Sequence, residues 1–112
     1  MIRGRIETDD DAIRRLNDAA FGGTAESKLV EDLRAAGLVA VELVAIDESA
    51  VIGHILFSEL TVTLDEDVVP ALSLAPMSVR PGRQNSGIGG ALVRAGLDLA
   101  KDGGWHAVIV LG

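Results

Sequence analysis

Cysteine is absent from the chain, and long apolar runs are absent as well. The lack of cysteine excludes a disulfide framework, a thiolate metal site and a cysteine nucleophile. Glu42 and His54 interrupt the longest apolar stretches, so no segment approaches the roughly 18 apolar residues that a membrane-spanning helix needs. The N-terminal residues read as a strand followed by an acidic run, which is not the pattern of a signal peptide. We therefore expect a cytoplasmic protein with no membrane contact.

Basic residues are also few: the chain has 10 lysines and arginines and 17 aspartates and glutamates. Residues 1–79 carry a net charge of −9, whereas residues 80–112 carry +2. An acidic chain is a poor partner for nucleic acid, and we predict no nucleic-acid binding. The acidic surface is compatible with a cationic amine as ligand, and equally with ordinary solvated carboxylates. At 112 residues the chain is expected to form a single domain over residues 1–112.

A glycine-rich loop between a strand and a helix is the most informative stretch of the sequence. A turn signal, Arg80-Pro81-Gly82, follows the strand, and three glycines stand where a helical pattern begins. The first turn of a helix leaves backbone N–H groups unpaired and carries partial positive charge. Glycines at that point remove the Cβ atoms that would keep a ligand at a distance. These properties are those of a phosphate cradle. The three glycines are Gly87, Gly89 and Gly90, and the apolar residues expected on the sheet side of the helix are Ile88, Leu92, Ala95 and Leu99.

Two nucleotide-binding motifs fit this loop only in part. A Walker A loop needs a lysine and then Ser or Thr after its second glycine, but Ile88 and Gly89 follow Gly87. A dinucleotide fingerprint needs a third glycine where Leu92 stands, and it usually opens the first βαβ unit of a chain. A loop that served packing alone has no need of glycines in a helical first turn, since each costs about 1 kcal/mol relative to Ala.

The periodicity along the chain predicts the element order β-α-α-β-β-β-α-β. Two helices, capped by Thr8 and Thr24, are expected to end at Gly22-Gly23 and at Gly37. Gly53, inside the third strand, indicates a bulge or a close backbone approach. The order predicts an α/β fold with a mixed β-sheet flanked by helices, and the apolar last strand is expected to be buried. Strands are predicted over residues 2–7, 39–47, 51–64, 69–79 and 105–111.

The strand before the loop, the Gln84-x-x-Gly87-x-Gly89 signature and the helix after it together resemble the pyrophosphate-binding segment of the GNAT superfamily of N-acetyltransferases. The chain resembles a bacterial branch of small predicted acetyltransferases over essentially its whole length. The resemblance implies a GNAT-like acyl-CoA N-acyltransferase fold that is C-terminally short, because chains of that family continue past the last strand. The remaining part usually carries a tyrosine that acts as general acid, and this chain has no tyrosine.

The same resemblance implies acetyl-CoA as cosubstrate and no metal. The backbone N–H groups of the loop would hold the pyrophosphate, with a charge-assisted contact from Arg83. The edge of the strand at Met77 to Val79 would pair with the amides of the pantetheine arm. The residues implied for cofactor binding are Met77, Val79, Arg83, Gln84, Gly87, Gly89 and Gly90.

The sequence leaves the catalytic residues open. Direct transfer to a primary amine needs a general base, and Glu59 and His54 are candidates. Alternatively, Glu59 is a solvated carboxylate on a strand, and His54 is a buried structural histidine. Without cysteine or an evident Ser-His-acid set, we expect a ternary complex with a small-molecule or peptide amine instead of an acyl-enzyme.

The alternative function is an acyl-CoA-binding or regulatory module with little or no catalysis. An apolar edge left open by the last strand predicts self-association, as in a homodimer.

Overall fold

A five-stranded sheet is the centre of the fold in residues 1–110, the part of the chain that the computed structural model describes. The strands lie side by side in chain order; β1 to β4 are antiparallel, and β5 runs parallel to β4. The mixed sheet and the element order are therefore confirmed. The strands are β1 (Ile2–Gly4), β2 (Val39–Asp47), β3 (Ala50–Leu64), β4 (Asp67–Val79) and β5 (Val108–Val110).

The α-helices of the described part of the chain are α1 (Asp10–Phe21), α2 (Ala25–Ala35) and α3 (Ile88–Asp102). Gly22 and Gly37 end the first two with left-handed φ angles of 74° and 70°, which glycine adopts without strain. The prediction that Thr8 caps α1 is wrong, because Glu7–Asp9 form a short 3₁₀ turn and Asp9 takes the N-cap position. The Asp9 carboxylate accepts the Ile6 N–H at 2.9 Å. No helix within residues 1–110 is both long and apolar enough to span a membrane.

α3 covers one face of the sheet and α1 covers the other. Because side chains alternate along β3, successive residues of this strand face different helices. Phe57 and Gly53 face α3: a Cβ on Gly53 would lie 2.9 Å from Leu92 Cδ1, and a Cβ on Gly96 would overlap the Phe57 ring. His54, which lies between them in the alternation, contacts Asn17 of α1 on the other face. Both features expected at Gly53 are found: side chains of α3 closely approach its backbone, and the β2–β3 register shifts between the Ala45–Gly53 and Ile46–Val51 pairs.

The line of α3 that meets the sheet differs from the predicted one. Leu92, Gly96 and Ala100 are buried at a spacing of four residues, whereas Leu99 is 48% exposed. Because Gly96 has no side chain, α3 approaches the Phe57 ring closely, and this contact turns Leu99 towards solvent. The prediction that Leu99 belongs to the buried stripe is therefore wrong.

The last strand is shorter and more exposed than predicted. The strand begins at Val108, and Trp105, which lies before it, packs against the core. The side chain of Val110 is 67% exposed. Within the described residues, β5 pairs with β4 alone, so one of its edges and much of its surface stay open. Leu111, which the prediction included, lies outside the described residues.

Candidate functional site

A groove of about 450 Å³ lies where β4 ends and α3 begins. One wall is the C-terminal turn of α1, the opposite wall is the last residues of β4, and the glycine-rich loop closes the end. The structure thus brings together six of the seven predicted binding residues, all except Arg83. The groove is lined by Ala20, Phe21, Met77, Ser78, Val79, Gln84, Asn85, Gly87, Gly89 and Gly90.

The β4 wall presents main-chain groups along an open edge. β5 pairs with β4 only at residues 72–74, and the pairing of β4 with β3 shifts register between Leu74 and Met77, where the Ala75–Pro76 peptide bond is cis. Among residues 1–110, the segment from Ala75 to Val79 has no strand on its β5 side. A ligand with amide groups can therefore add to this edge as an extra strand would.

The loop leaves backbone N–H groups unpaired at the end of the groove. Positive φ angles at Gly82 (91°), Asn85 (64°) and Gly87 (86°) turn the chain back on itself before α3. Among residues 1–110, no backbone carbonyl accepts from the N–H groups of Gln84, Asn85 and Gly87 to Gly90, whereas Ser86 closes a turn on Arg83. Several unpaired N–H groups at a helix N-terminus, where the helix dipole is positive, form an anion-binding site.

Packing does not explain the glycine at position 89. A Cβ there would lie 3.5 Å from Met77 Cε and 3.7 Å from Val79 Cγ2, which are ordinary contacts. A Cβ on Gly90 would meet only the mobile end of Arg94, at 3.2 Å from Nη1. Because alanine would fit and would favour the helix, a closely approaching ligand accounts for these glycines better than the core does.

The two long polar side chains of the loop have different positions. Gln84 lines the groove, and its Nε2 donates to the Val79 carbonyl at 3.3 Å. Arg83 is directed to the other side of the loop, where its Nη1 lies 2.9 Å from Asp47 Oδ2. Both partners of that ion pair are more than 40% exposed, and such pairs contribute little stability. The contact of Arg83 with a cofactor stays a prediction.

The sequence prediction did not include four of the lining residues, Ala20, Phe21, Ser78 and Asn85. Phe21 is 45% exposed although it is a large apolar side chain. Ser78 is buried, and its Oγ has no hydrogen-bond partner among residues 1–110. A large aromatic residue directly before the Gly22-Gly23 helix end was a usable signal for Phe21, but the position of Ser78 depends on the pairing of β3 with β4.

The structure does not bring the two catalytic candidates into the groove. Glu59 is exposed at the far part of β3, where its N–H donates to the Leu38 carbonyl. His54 is fully buried, with Nε2 2.7 Å from Glu42 Oε2 and Nδ1 3.3 Å from Asn17 Nδ2. Burial would raise the pKa of the Glu42 carboxyl, but hydrogen bonds from His54 and Arg34 outweigh burial and lower that pKa to about 2. A catalytic role for either candidate stays a prediction.

Among residues 1–110, no cluster of three His, Asp or Glu side chains is placed to hold a metal ion. A second cavity, of about 400 Å³, lies between α1 and the β2–β3 turn and includes Arg15 and Arg80 in its lining. It lacks the unpaired N–H groups of the loop, so the groove at α3 is the stronger candidate site.

A sequence profile described as the acetyltransferase (GNAT) family matches residues 11–112. The chain belongs to this family. The GNAT-like fold expected from the loop signature is confirmed by solved structures as well. A GNAT-family acetyltransferase from Brucella melitensis in complex with acetyl-CoA has a TM-score of 0.89 and 37% identity, covering 100% of this chain and 75% of that one.

The GNAT relatives also include YhbS of Escherichia coli, described as an uncharacterised N-acetyltransferase. It is 36% identical over 113 residues, which is 100% of this chain and 66% of YhbS. The crystal structure of YhbS in complex with CoA has a TM-score of 0.90 at 35% identity, covering 100% of this chain and 62% of that one. The chain therefore spans slightly less than two thirds of the length of this curated relative.

Proposed function

We propose that the groove binds coenzyme A and its acetyl thioester, with the pyrophosphate held by the loop. The observation that carries the proposal is the set of unpaired N–H groups of Gln84, Asn85 and Gly87 to Gly90 at the start of α3. Gly87 supplies the positive φ angle of the N-cap, and Gly89 and Gly90 leave room for a phosphate to reach those N–H groups. Two relatives of more than 30% identity, one from Brucella melitensis and one from Escherichia coli, have structures in complex with acetyl-CoA and CoA, which supports the proposal.

The remaining wall residues fit the pantetheine arm of the same ligand. The open edge of β4 at Met77 to Val79 offers main-chain donors and acceptors to its amides. The exposed Phe21 ring on the opposite wall would cover its apolar atoms. Ser78 Oγ would gain a partner if a polar atom of the ligand or a water lay near it.

We propose acetyl transfer to a primary amine as the reaction of this site. The bound thioester supplies an activated acyl group. The protein would orient this thioester and leave space for the amine to approach it. An ammonium group must lose a proton before it attacks, so a base has to reach the acceptor. A direct attack within a ternary complex fits a chain without cysteine.

One observation favours the alternative of a binding or regulatory module. All the groove-lining residues in the described part of the chain have side chains that do not ionise, so none can act as the base. Residues 1–112 contain no tyrosine that could act as general acid. Without positioned acid–base groups the rate would fall by about 10²–10⁴-fold, whereas binding would be preserved.

Two measurements test the proposal. Titration calorimetry in the absence of magnesium should show one site for CoA and acetyl-CoA, and a chain that binds neither would refute the assignment of the groove. Thiol release from acetyl-CoA with a panel of primary amines then separates the two functions. Amine-dependent release that Gly89→Ala abolishes supports the transferase, and tight binding with no amine-dependent release supports the binding module.

A further inference from the structure

We propose that the buried pair Asn17 and His54 fixes the separation of the two groove walls and is thereby a positioning element for coenzyme A. The inference rests on the proposed function, since it assumes that the groove is the coenzyme A site. It assigns to His54 a role other than general base. Neither residue touches the ligand in this scheme; both act through Phe21 and Ser78, which form the walls.

Asn17 ties the α1 wall to the sheet. It is fully buried and lies one helical turn before Phe21, on the helix whose last residues line the groove. Its Nδ2 donates to the Ile13 carbonyl at 3.2 Å and lies 3.3 Å from Nδ1 of His54. The amide can make both contacts because it carries two N–H groups.

His54 reaches the other wall through strand pairing. It is the register partner of Ser78, so the two side chains project from the same face of the sheet. Side chains of directly paired antiparallel residues have Cβ atoms about 4.5–5.5 Å apart. His54 therefore joins α1 to β3 through Asn17, and the pairing of β3 with β4 at Ser78 relates this contact to the second wall.

A charge network holds the ring in place. His54 Nε2 lies 2.7 Å from Glu42 Oε2, and Arg34 binds both oxygens of Glu42 at 3.1 and 2.5 Å. Arg34 also lies 3.4 Å from Asp10, the first residue of α1, and Asp10 in turn binds Arg5. The same network thus fixes α1 at its first residue and again at Asn17. A helix held at two points has little freedom to change the groove width.

The contacts also define the form of the imidazole. The Glu42 carboxylate can only accept, so the proton lies on Nε2. The Asn17 N–H faces Nδ1, so Nδ1 is its acceptor in this arrangement. The Ile13 carbonyl favours this amide orientation, since turning the amide over would bring Oδ1 against it; among residues 1–110, Oδ1 as placed is buried without a partner.

The test compares two variants of the full chain that each remove one buried hydrogen-bonding side chain. Asn17→Ala frees the α1 wall from the sheet. Ser27→Ala is the matched control, since Ser27 is buried and its Oγ donates to Asp18 Oδ1 at 2.6 Å, which ties α2 to α1 and not α1 to the sheet. Both variants should unfold at a lower temperature than the wild type. CoA affinity is then measured by calorimetry at a temperature where all the proteins are folded.

We expect Asn17→Ala to weaken CoA binding about tenfold and Ser27→Ala to leave the dissociation constant unchanged. An unchanged affinity in Asn17→Ala, or an equal loss in both variants, overturns the inference. Gly89→Ala, measured beside them, separates it from the proposed function. If Gly89→Ala loses binding and Asn17→Ala does not, only this inference fails; if neither loses binding, the groove assignment fails as well.

A second variant of the same size keeps the test valid if Asn17→Ala does not fold. Asn17→Leu fills nearly the same volume and removes both N–H donors, so the contact with His54 and the hydrogen bond to the Ile13 carbonyl are lost without a large cavity. The folded Asn17→Leu protein should bind CoA about tenfold more weakly than the wild type, whereas the Ser27→Ala control should not. A folded Asn17→Leu protein with wild-type affinity for CoA contradicts the inference.

Discussion

Replacement of Gly89 by alanine should change stability and cofactor binding in opposite directions. The added Cβ would lie 3.5 Å from Met77 Cε and 3.7 Å from Val79 Cγ2, so the folded protein can accept it without rearrangement. Alanine favours a helix over glycine by up to about 1 kcal/mol. The variant should therefore be as stable as the wild type or slightly more so.

The same methyl group would stand in the groove, beside the N–H groups that are proposed to receive the pyrophosphate. Loss of one hydrogen bond to a charged group costs about 1.5–3 kcal/mol, which is about a 10- to 150-fold rise in the dissociation constant for CoA. A purely structural role for the loop predicts no change in affinity, because packing does not require glycine at this position.

Calorimetric titration with CoA, together with thermal unfolding, measures both effects. Gly4→Ala is the matched control: Gly4 has no positive φ angle, a Cβ there would have no neighbour within 4 Å, and it lies in β1, outside the groove lining. It should leave CoA affinity unchanged. Wild-type affinity in a well-folded Gly89→Ala protein would refute the reasoning, and so would a loss that accompanies global destabilisation.

Three more predictions concern the charge network, the mechanism and the assembly. Because the pKa of Glu42 is about 2 in the folded protein against an ordinary 4.5, its carboxylate stabilises the fold above pH 4.5. Up to about 3 kcal/mol of unfolding free energy should be lost as the pH falls towards 2. In urea unfolding, the free energy of unfolding of Glu42→Gln should depend less on pH than that of the wild type. Equal slopes of this free energy against pH would argue against the network. Initial-rate kinetics should give intersecting double-reciprocal lines, and intact-protein mass spectrometry should find no acetylated chain when the amine is omitted. Because β5 has an open edge among residues 1–110 and an exposed Val110, light scattering should detect self-association that Val110→Lys reduces; a monomer at all concentrations would contradict this.

The parts of the fold that depend on local pattern could be predicted from the sequence. β2 occupies the predicted residues 39–47 because its apolar run ends at a clear turn, Asp47-Glu48-Ser49. The loop could be predicted for the same reason, since the glycines, the proline turn and the helix start are neighbours in the chain. Six predicted binding residues consequently line one groove.

The parts that depend on distant contacts could not be predicted. The buried line of α3 follows from Phe57, which lies on β3 and meets Gly96 from the opposite side. The pairing of Arg83 with Asp47 joins residues that are 36 positions apart. The contact of His54 with Glu42 and Asn17 combines two strands and a helix, and none of the three residues carries a signal of it in its own neighbourhood.

The most direct test of the account is an amide chemical-shift titration of the ¹⁵N-labelled protein with CoA. Binding at the loop predicts large shifts for the N–H groups of Gln84, Asn85 and Gly87 to Gly90, because they gain charged acceptors where no carbonyl now pairs with them. Smaller shifts are expected at Met77 to Val79 and at Phe21, along the two walls. Saturable shifts confined to the cavity at Arg15 and Arg80, or no shifts at the loop in millimolar CoA, would contradict the account.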